Sequence, residues 1–400
     1  MKRNYLKFIL FAALILIAFF VLENLNQRFW LNDFKVYYDA AHAFLNDSPV
    51  YGVNFSLGSG NYKYSPFVLF EFIPFTFFSF NVAAVLFYFL LTCIIIVSFV
   101  FCWKMVCSYV FQDEIKSPNT FLAIMFVCTL NNIQRELHLG NINFIMVTML
   151  IFAMFLMIKQ KYIYAGIFLA MVIITKPFFV LLLLLLVLRR QYIALASFAV
   201  SLILFLLAPI LFVGMQQNIL LHKEWIYTMI LHADSFPSNT TFDQLIRIHI
   251  WQEAPSIFQY IVIVVACILF SALSIFNQLK ENKLKEKEKL VASNFIIEWF
   301  VMIALMPNLF RTDWQHFLMT FPLLMVLLRS IWKEKNYWLV AAFVVLAFFY
   351  GGNTEELIGD TISDYLIQSG SIGIANIFII AFSLVMYFVS TKKSNLVLFR

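Results

Sequence analysis

Charge is scarce in this chain: only 12% of its 400 residues are Asp, Glu, Lys or Arg, against about a quarter in soluble proteins. With 62% hydrophobic residues, 18% aromatic and a mean hydropathy of +0.87, the shortage excludes a water-soluble globular chain and makes lipid the solvent. Cysteine is scarce as well. Cys93, Cys102, Cys107, Cys128 and Cys267 lie in or at the ends of apolar runs, with no CxxC pair and an odd total. That excludes a disulfide framework and reads as small core residues. No HExxH, paired Cys or DxD pattern occurs, so neither metal nor other cofactor is expected. Soluble domains, low-complexity tracts and strong internal repeats are missing too.

What is present is a series of apolar stretches of roughly membrane length from Leu6 to Val389. In hydrocarbon every backbone N–H and C=O must be paired internally, and long apolar runs without strict alternation choose helices. The expected fold is therefore all-α, one integral membrane domain over 1–400. It divides into a core, 1–278, with external loops 23–79 and 214–255, and C-terminal helices, 279–400. Twelve spans are predicted near 6–22, 80–103, 118–133, 140–158, 162–175, 177–190, 192–213, 256–276, 291–309, 314–331, 336–350 and 372–390. The first carries the basic flank Lys2, Arg3, Lys7, but no small-residue cleavage site precedes Glu23, so it reads as an uncleaved anchor.

The net charge of +6 follows from topology and calls for no nucleic-acid partner. With the N-terminus inside, 20 of the 28 basic residues fall in cytoplasmic segments and 16 of the 22 acidic ones outside, the bias of a bacterial plasma-membrane protein with both termini in the cytoplasm. This count needs two short helices in 162–190, where Lys176-Pro177 interrupts a long apolar run; a single helix would flip every later loop. Pro177 removes a helical donor where a break is needed, which favours the pair. The Lys280–Lys289 run alternates Lys with Glu and reads as a solvated connector.

All six histidines, His42, His138, His222, His232, His249 and His316, fall on the external side in this topology. A reaction site there is one reading; the collection of polar residues in the longest loops is the other. Asp33 opens Asp33-Phe34-Lys35-Val36-Tyr37-Tyr38-Asp39 in a stretch amphipathic enough for an interfacial helix over Asp33–Asn46, followed by a turn near Ser48-Pro49 and an apolar segment, Pro66 to Phe78. A carboxylate there can take a proton from an incoming hydroxyl, or cap the helix. Tyr37, one turn on, shares its face, whereas Asp39 points elsewhere. Lys176 at membrane depth either meets an anionic headgroup or snorkels to water. Arg311, Asp313 and His316 mark another external helix entrance, where Asp313 caps the helix or pairs with Arg311. Arg135, Glu136 and His138 form a third cluster, also readable as surface pairing.

Together the motifs resemble family 87 of the glycosyltransferases, in the GT-C fold class. The likeness rests on Asp33-Phe34-Lys35-Val36-Tyr37-Tyr38, Tyr62-Lys63-Tyr64-Ser65-Pro66, Gly140-Asn141-Ile142-Asn143, Ala165-Gly166 leading to Thr175-Lys176-Pro177, Asn239-Thr240-Thr241 followed by Arg247, and Trp314-Gln315-His316. The chain departs from the family in Gly140-Asn141, where Gly-Gln is commoner, and at Ser65, where Pro is commoner. The resemblance implies a base at the first external-loop aspartate, here Asp33, a sugar donor carried on a polyprenyl phosphate, and metal-free inversion at the anomeric carbon. The expected activity is transfer of a hexose, mannose by analogy, to a lipid-linked or glycan acceptor on the extracytoplasmic side.

That chemistry fits the residues. It needs a base on the acceptor, stabilisation of an oxocarbenium-like transition state and positive charge on the departing phosphate. Lys176, Arg311 and His316 are candidates for the phosphate, with Arg135 and Arg247. Asn141, Asn143 and Asn239 could hydrogen-bond sugar hydroxyls, with Tyr37, and Tyr62 or Tyr64 could pack on a sugar face. A transporter or flippase of lipid-linked sugars is the rival; the lack of a two-half repeat and the few ionisable residues inside spans speak against it. An external acyltransferase would use a membrane-embedded His, for which His316 is the candidate.

Overall fold

The computed structural model describes residues 5–56, 60–113, 118–235, 238–282 and 287–397. Lys2, Arg3, Glu114, Lys116, Lys283, Lys285, Glu286 and Arg400, all counted for orientation, lie outside them. The described residues are helical nearly throughout and hold no strand, only an isolated bridge between Asn54 and Asn61. The all-α expectation is met.

Among the described residues six helices are long and apolar enough to cross a membrane: Leu6–Leu25, Phe80–Phe111, Phe258–Asn282, Leu290–Leu309, Trp314–Glu334 and Ser371–Val389. The count becomes eight if each of two bent pairs makes one span, Leu130–Leu139 with Asn143–Ile158, bent by 115°, and Tyr192–Leu207 with Ile210–Leu231, bent by 90°. Four further expected spans are the short helices Pro118–Cys128, Tyr162–Thr175, Pro177–Leu188 and Tyr337–Gly352. At 1.5 Å per residue each reaches only about 16–24 Å, less than the roughly 30 Å of hydrocarbon.

The chain forms two compact units. One comprises Met1–Leu10, Phe99–Ile133 and Pro237–Arg400, the other Phe11–Ser98 and Gln134–Phe236. In the first, Asn308 and Asn376 form a buried polar knot. Asn308 Nδ2 donates to the carbonyls of Thr240 and Gly373, and Asn376 Nδ2 to Ala304 O and Asn308 Oδ1. Gly370 and Gly373 let the 239–240 backbone approach so closely that an added Cβ would sit 2.2 Å and 2.5 Å from its carbonyl oxygens. The Asn239-Thr240-Thr241 motif therefore has a packing role.

In the second unit the loop helix Asn32–Leu45 lies with Phe34 wholly buried, stacked on Phe87 at 4.3 Å and edge-on to Phe75 at 5.4 Å. Burial of such a ring is worth roughly 1.5–3 kcal/mol, enough to fix which face of the helix turns inward. Tyr38 OH donates to Phe78 O at 2.7 Å, tying the helix to the end of the Pro66–Phe77 segment.

Residues 162–190 are broken at Lys176, whose backbone is extended (φ −132°, ψ 92°), as expected before a proline. The chain also turns back there. Ser197 Oγ donates to Ile163 O at 2.7 Å, and a Cβ on Gly166 would lie 2.5 Å from Ala194 O. The start of the Tyr162 helix thus adjoins the start of the Tyr192 helix, which a continuous rod from 162 to 188, about 40 Å long, would forbid. Small residues at Ala165-Gly166 allow the contact.

Candidate active site

The 115° bend between Leu130–Leu139 and Asn143–Ile158 is made by Gly140, Asn141 and Ile142. Gly140 adopts φ +65°, and a Cβ there would fall 2.8 Å from Phe34 Cβ and 2.9 Å from Leu31 Cδ2. Only glycine meets both conditions. The turn therefore lies directly against the first turn of the Asn32–Leu45 helix, and Asn141 Nδ2 donates to Asp33 Oδ2 at 2.5 Å.

Asp33 is not the helix cap. The N-cap is Leu31, in the left-handed region (φ 38°, ψ 58°), with no side-chain cap bond, and Asp33 sits inside the first turn, where a carboxylate is favoured by the helix dipole. Asp39 is engaged separately with Lys35 at 2.8 Å, so the expected division of faces holds. Tyr37, buried on the Asp33 side, shares a hydrogen bond with Tyr64, OH to OH 3.1 Å. Burial first, then the nearby Tyr64 and Asp33, hold the Tyr37 phenol well above its usual range; it is a neutral group at any physiological pH. Tyr64 is backed by Tyr62, ring centroids 6.0 Å apart, while Tyr51 OH donates to Tyr64 O at 2.7 Å. Tyr62 itself is fully buried, its OH on Ser65 O.

Lys176 does not snorkel. Only 6% of it is exposed; its ammonium donates to Asn143 Oδ1 and lies 5.9 Å from the centroid of the Tyr64 ring. Asn143 Nδ2 in turn donates to Glu136 Oε2 at 2.9 Å, and Glu136 Oε1 accepts Phe144 N at 2.8 Å, at the start of the Asn143–Ile158 helix. Within this unit the fold brings together Asp33, Tyr37, Tyr64, Asn141, Asn143 and Lys176, with Tyr62 beneath.

Glu136 is the residue that sequence reasoning grouped wrongly. It is wholly buried, whereas Arg135 is exposed and His138 Nδ1 pairs with Glu23 Oε2 at 2.9 Å. A signal existed: Asn132, Ile133, Glu136, Leu137 and Gly140 recur at helical spacing and are all buried, so Glu136 is a charge set inside an inward-facing stripe.

The other candidates belong to the first unit. Arg247 is half-buried with Nε unpaired, on the helix Phe242–His249. Asn239 is exposed. His316 is 8% exposed, its Nδ1 3.2 Å from Asp313 O. Asp313 occupies the N-cap position of Trp314–Thr320, but its side chain accepts from Gln315 Nε2 at 3.3 Å and makes no backbone cap bond.

These groups, a carboxylate, an ammonium, amides and tyrosines, lie in a chain whose described residues include six to eight helices long and apolar enough to cross a membrane. Residues 62–245 match the model of glycosyltransferase family 87, which bears out the resemblance drawn from the motifs. The match covers Tyr62, Tyr64, Glu136, Asn141, Asn143, Lys176 and Asn239, and leaves Asp33, Arg247, Arg311 and His316 outside it. No curated protein matches the chain.

Proposed function

We propose that the protein moves a hexose, with mannose as the expected sugar, from a polyprenyl-phosphate donor to an acceptor hydroxyl with inversion. Asp33 is the base in this reading: it takes the proton as the hydroxyl oxygen bonds to the anomeric carbon, and the bond from that carbon to the phosphate oxygen breaks with its electron pair. The departing phosphate is a weak base, so one carboxylate suffices and no acid need protonate it. Lys176 stabilises the charge gathering on the phosphate. Arg135 is a further candidate for the phosphate; Tyr37, Tyr64 and Asn141 for the sugar or the acceptor.

The observation that carries this reading is the Gly140–Asn143 turn. Asn141 holds the Asp33 carboxylate and Asn143, two residues on, holds the Lys176 ammonium; α-carbons so spaced are at most about 7 Å apart. A base and a cation held by one short turn suit a reaction in which bond formation and departure happen at one carbon. The charge bias of the loops supports an extracytoplasmic site in a bacterial plasma membrane.

The test is Asp33→Asn assayed with polyprenyl-phosphate hexose. It is expected to lower kcat at least 100-fold while leaving donor binding within about threefold and the protein folded in detergent. Near-normal turnover by the folded variant would remove Asp33 as the base.

A further inference from the structure

We infer that Glu136 is a positioning residue for Lys176, acting through the side-chain amide of Asn143. The inference rests on the reading above, in which Lys176 meets the donor phosphate. Asn143 is wholly buried between an ammonium and a carboxylate. An amide so placed has one workable orientation, oxygen toward Lys176 and nitrogen toward Glu136, because the ammonium only donates and the carboxylate only accepts. Glu136 is itself fixed by its second bond, from Phe144 N at 2.8 Å, at the positive end of the Asn143–Ile158 helix. The carboxylate thus sets the rotation of Asn143, and Asn143 sets where the ammonium points.

Glu136→Gln reverses this polarity with little change of shape. The glutamine oxygen stays on Phe144 N–H, its amide nitrogen then faces Asn143 Nδ2, and two donors cannot pair. Asn143 relieves the clash by rotating, which turns its own NH2 toward Lys176 and drives the ammonium from its place.

A double-mutant cycle tests this on the full-length protein in detergent, with polyprenyl-phosphate mannose as the probe. Glu136→Gln is expected to raise donor KM about 10-fold or more, with acceptor KM unchanged. In a Lys176→Met background, where donor KM is already high, the same substitution is expected to change it less than twofold. A purely structural role would instead give the same factor in both backgrounds, and that additive result overturns the inference while leaving the phosphate reading intact. A normal donor KM in Lys176→Met alone overturns the phosphate reading and this inference with it. If Glu136→Gln does not yield folded protein, Asn143→Ala replaces it in the cycle, since that variant deletes the bridge and keeps Glu136 on Phe144; the same two results decide.

Discussion

Glu71, within the Pro66–Phe77 segment, carries a carboxyl that burial pushes up from 4.5 to about 7. The sign follows from linkage: a folded-state value above the unfolded one means that the native protein resists ionisation. Glu71 costs nothing below about pH 4.5, costs progressively more as pH rises toward 7, and costs its full amount above that. A shift of this size corresponds to as much as about 3 kcal/mol. Glu71→Gln is therefore expected to raise the thermal unfolding midpoint in detergent at pH 8, with the gain fading to nothing near pH 4.5; an equal gain at both pH values would contradict it. Asp33 and Lys176 stand out in the sequence because one opens an amphipathic helix and the other is a charge between two apolar runs. What sequence could not supply was the partner. Asp33 looked like a cap because residue type favours it, yet the helix starts earlier, at Asn32 behind a left-handed Leu31, and the carboxylate goes to Asn141, 108 residues away.

At the scale of elements, the site depends on two interruptions, the turn at 140–142 and the break at Lys176. Irregular backbone between apolar helices needs protein or water around it, and here it frees polar groups to meet at Asn143. Gly140→Ala is expected to break the first interruption: it strains a left-handed backbone, about 1–2 kcal/mol, and drives a methyl to 2.8 Å from Phe34 Cβ. The loop helix must then retreat and Asn141 lose Asp33. Gly214 is the control: its backbone (φ +75°, ψ 172°) lies in a region essentially open only to glycine, so alanine is strained there too, but there is open space where its Cβ would go. Transfer by Gly140→Ala should fall at least 10-fold while Gly214→Ala stays within about twofold; similar losses in both would assign the effect to strain alone. The break at Lys176 was legible because Pro177 removes a helical donor and disfavours helical backbone at the residue before it. The 115° bend was not, since Leu130–Leu139 reads as a polar connector until its buried stripe is seen as one face.

At the scale of the whole molecule, function depends on which side of the membrane the Asp33 loop meets. The basic segments define one side by their charge, but that count holds only if 162–190 contributes an even number of crossings. The adjacency of Ile163 with Ser197 and of Gly166 with Ala194 supports this, because the chain ends its excursion at the level where it began. Arg189 and Arg190 then lie on the side of Lys159 and Lys161, as the bias of basic residues requires. Single cysteines in a background with the five native ones replaced by Ser or Ala check the reading directly. Ser48→Cys, in the loop before the Pro66 segment, is expected to react with a membrane-impermeant maleimide in intact cells. Gln191→Cys and Lys285→Cys are expected to react only after permeabilisation. Labelling of Lys285→Cys in intact cells alongside Ser48→Cys would put the basic connector and the Asp33 loop on one side, and a carboxylate meant to meet a lipid-borne sugar outside would lose the topology that places it there.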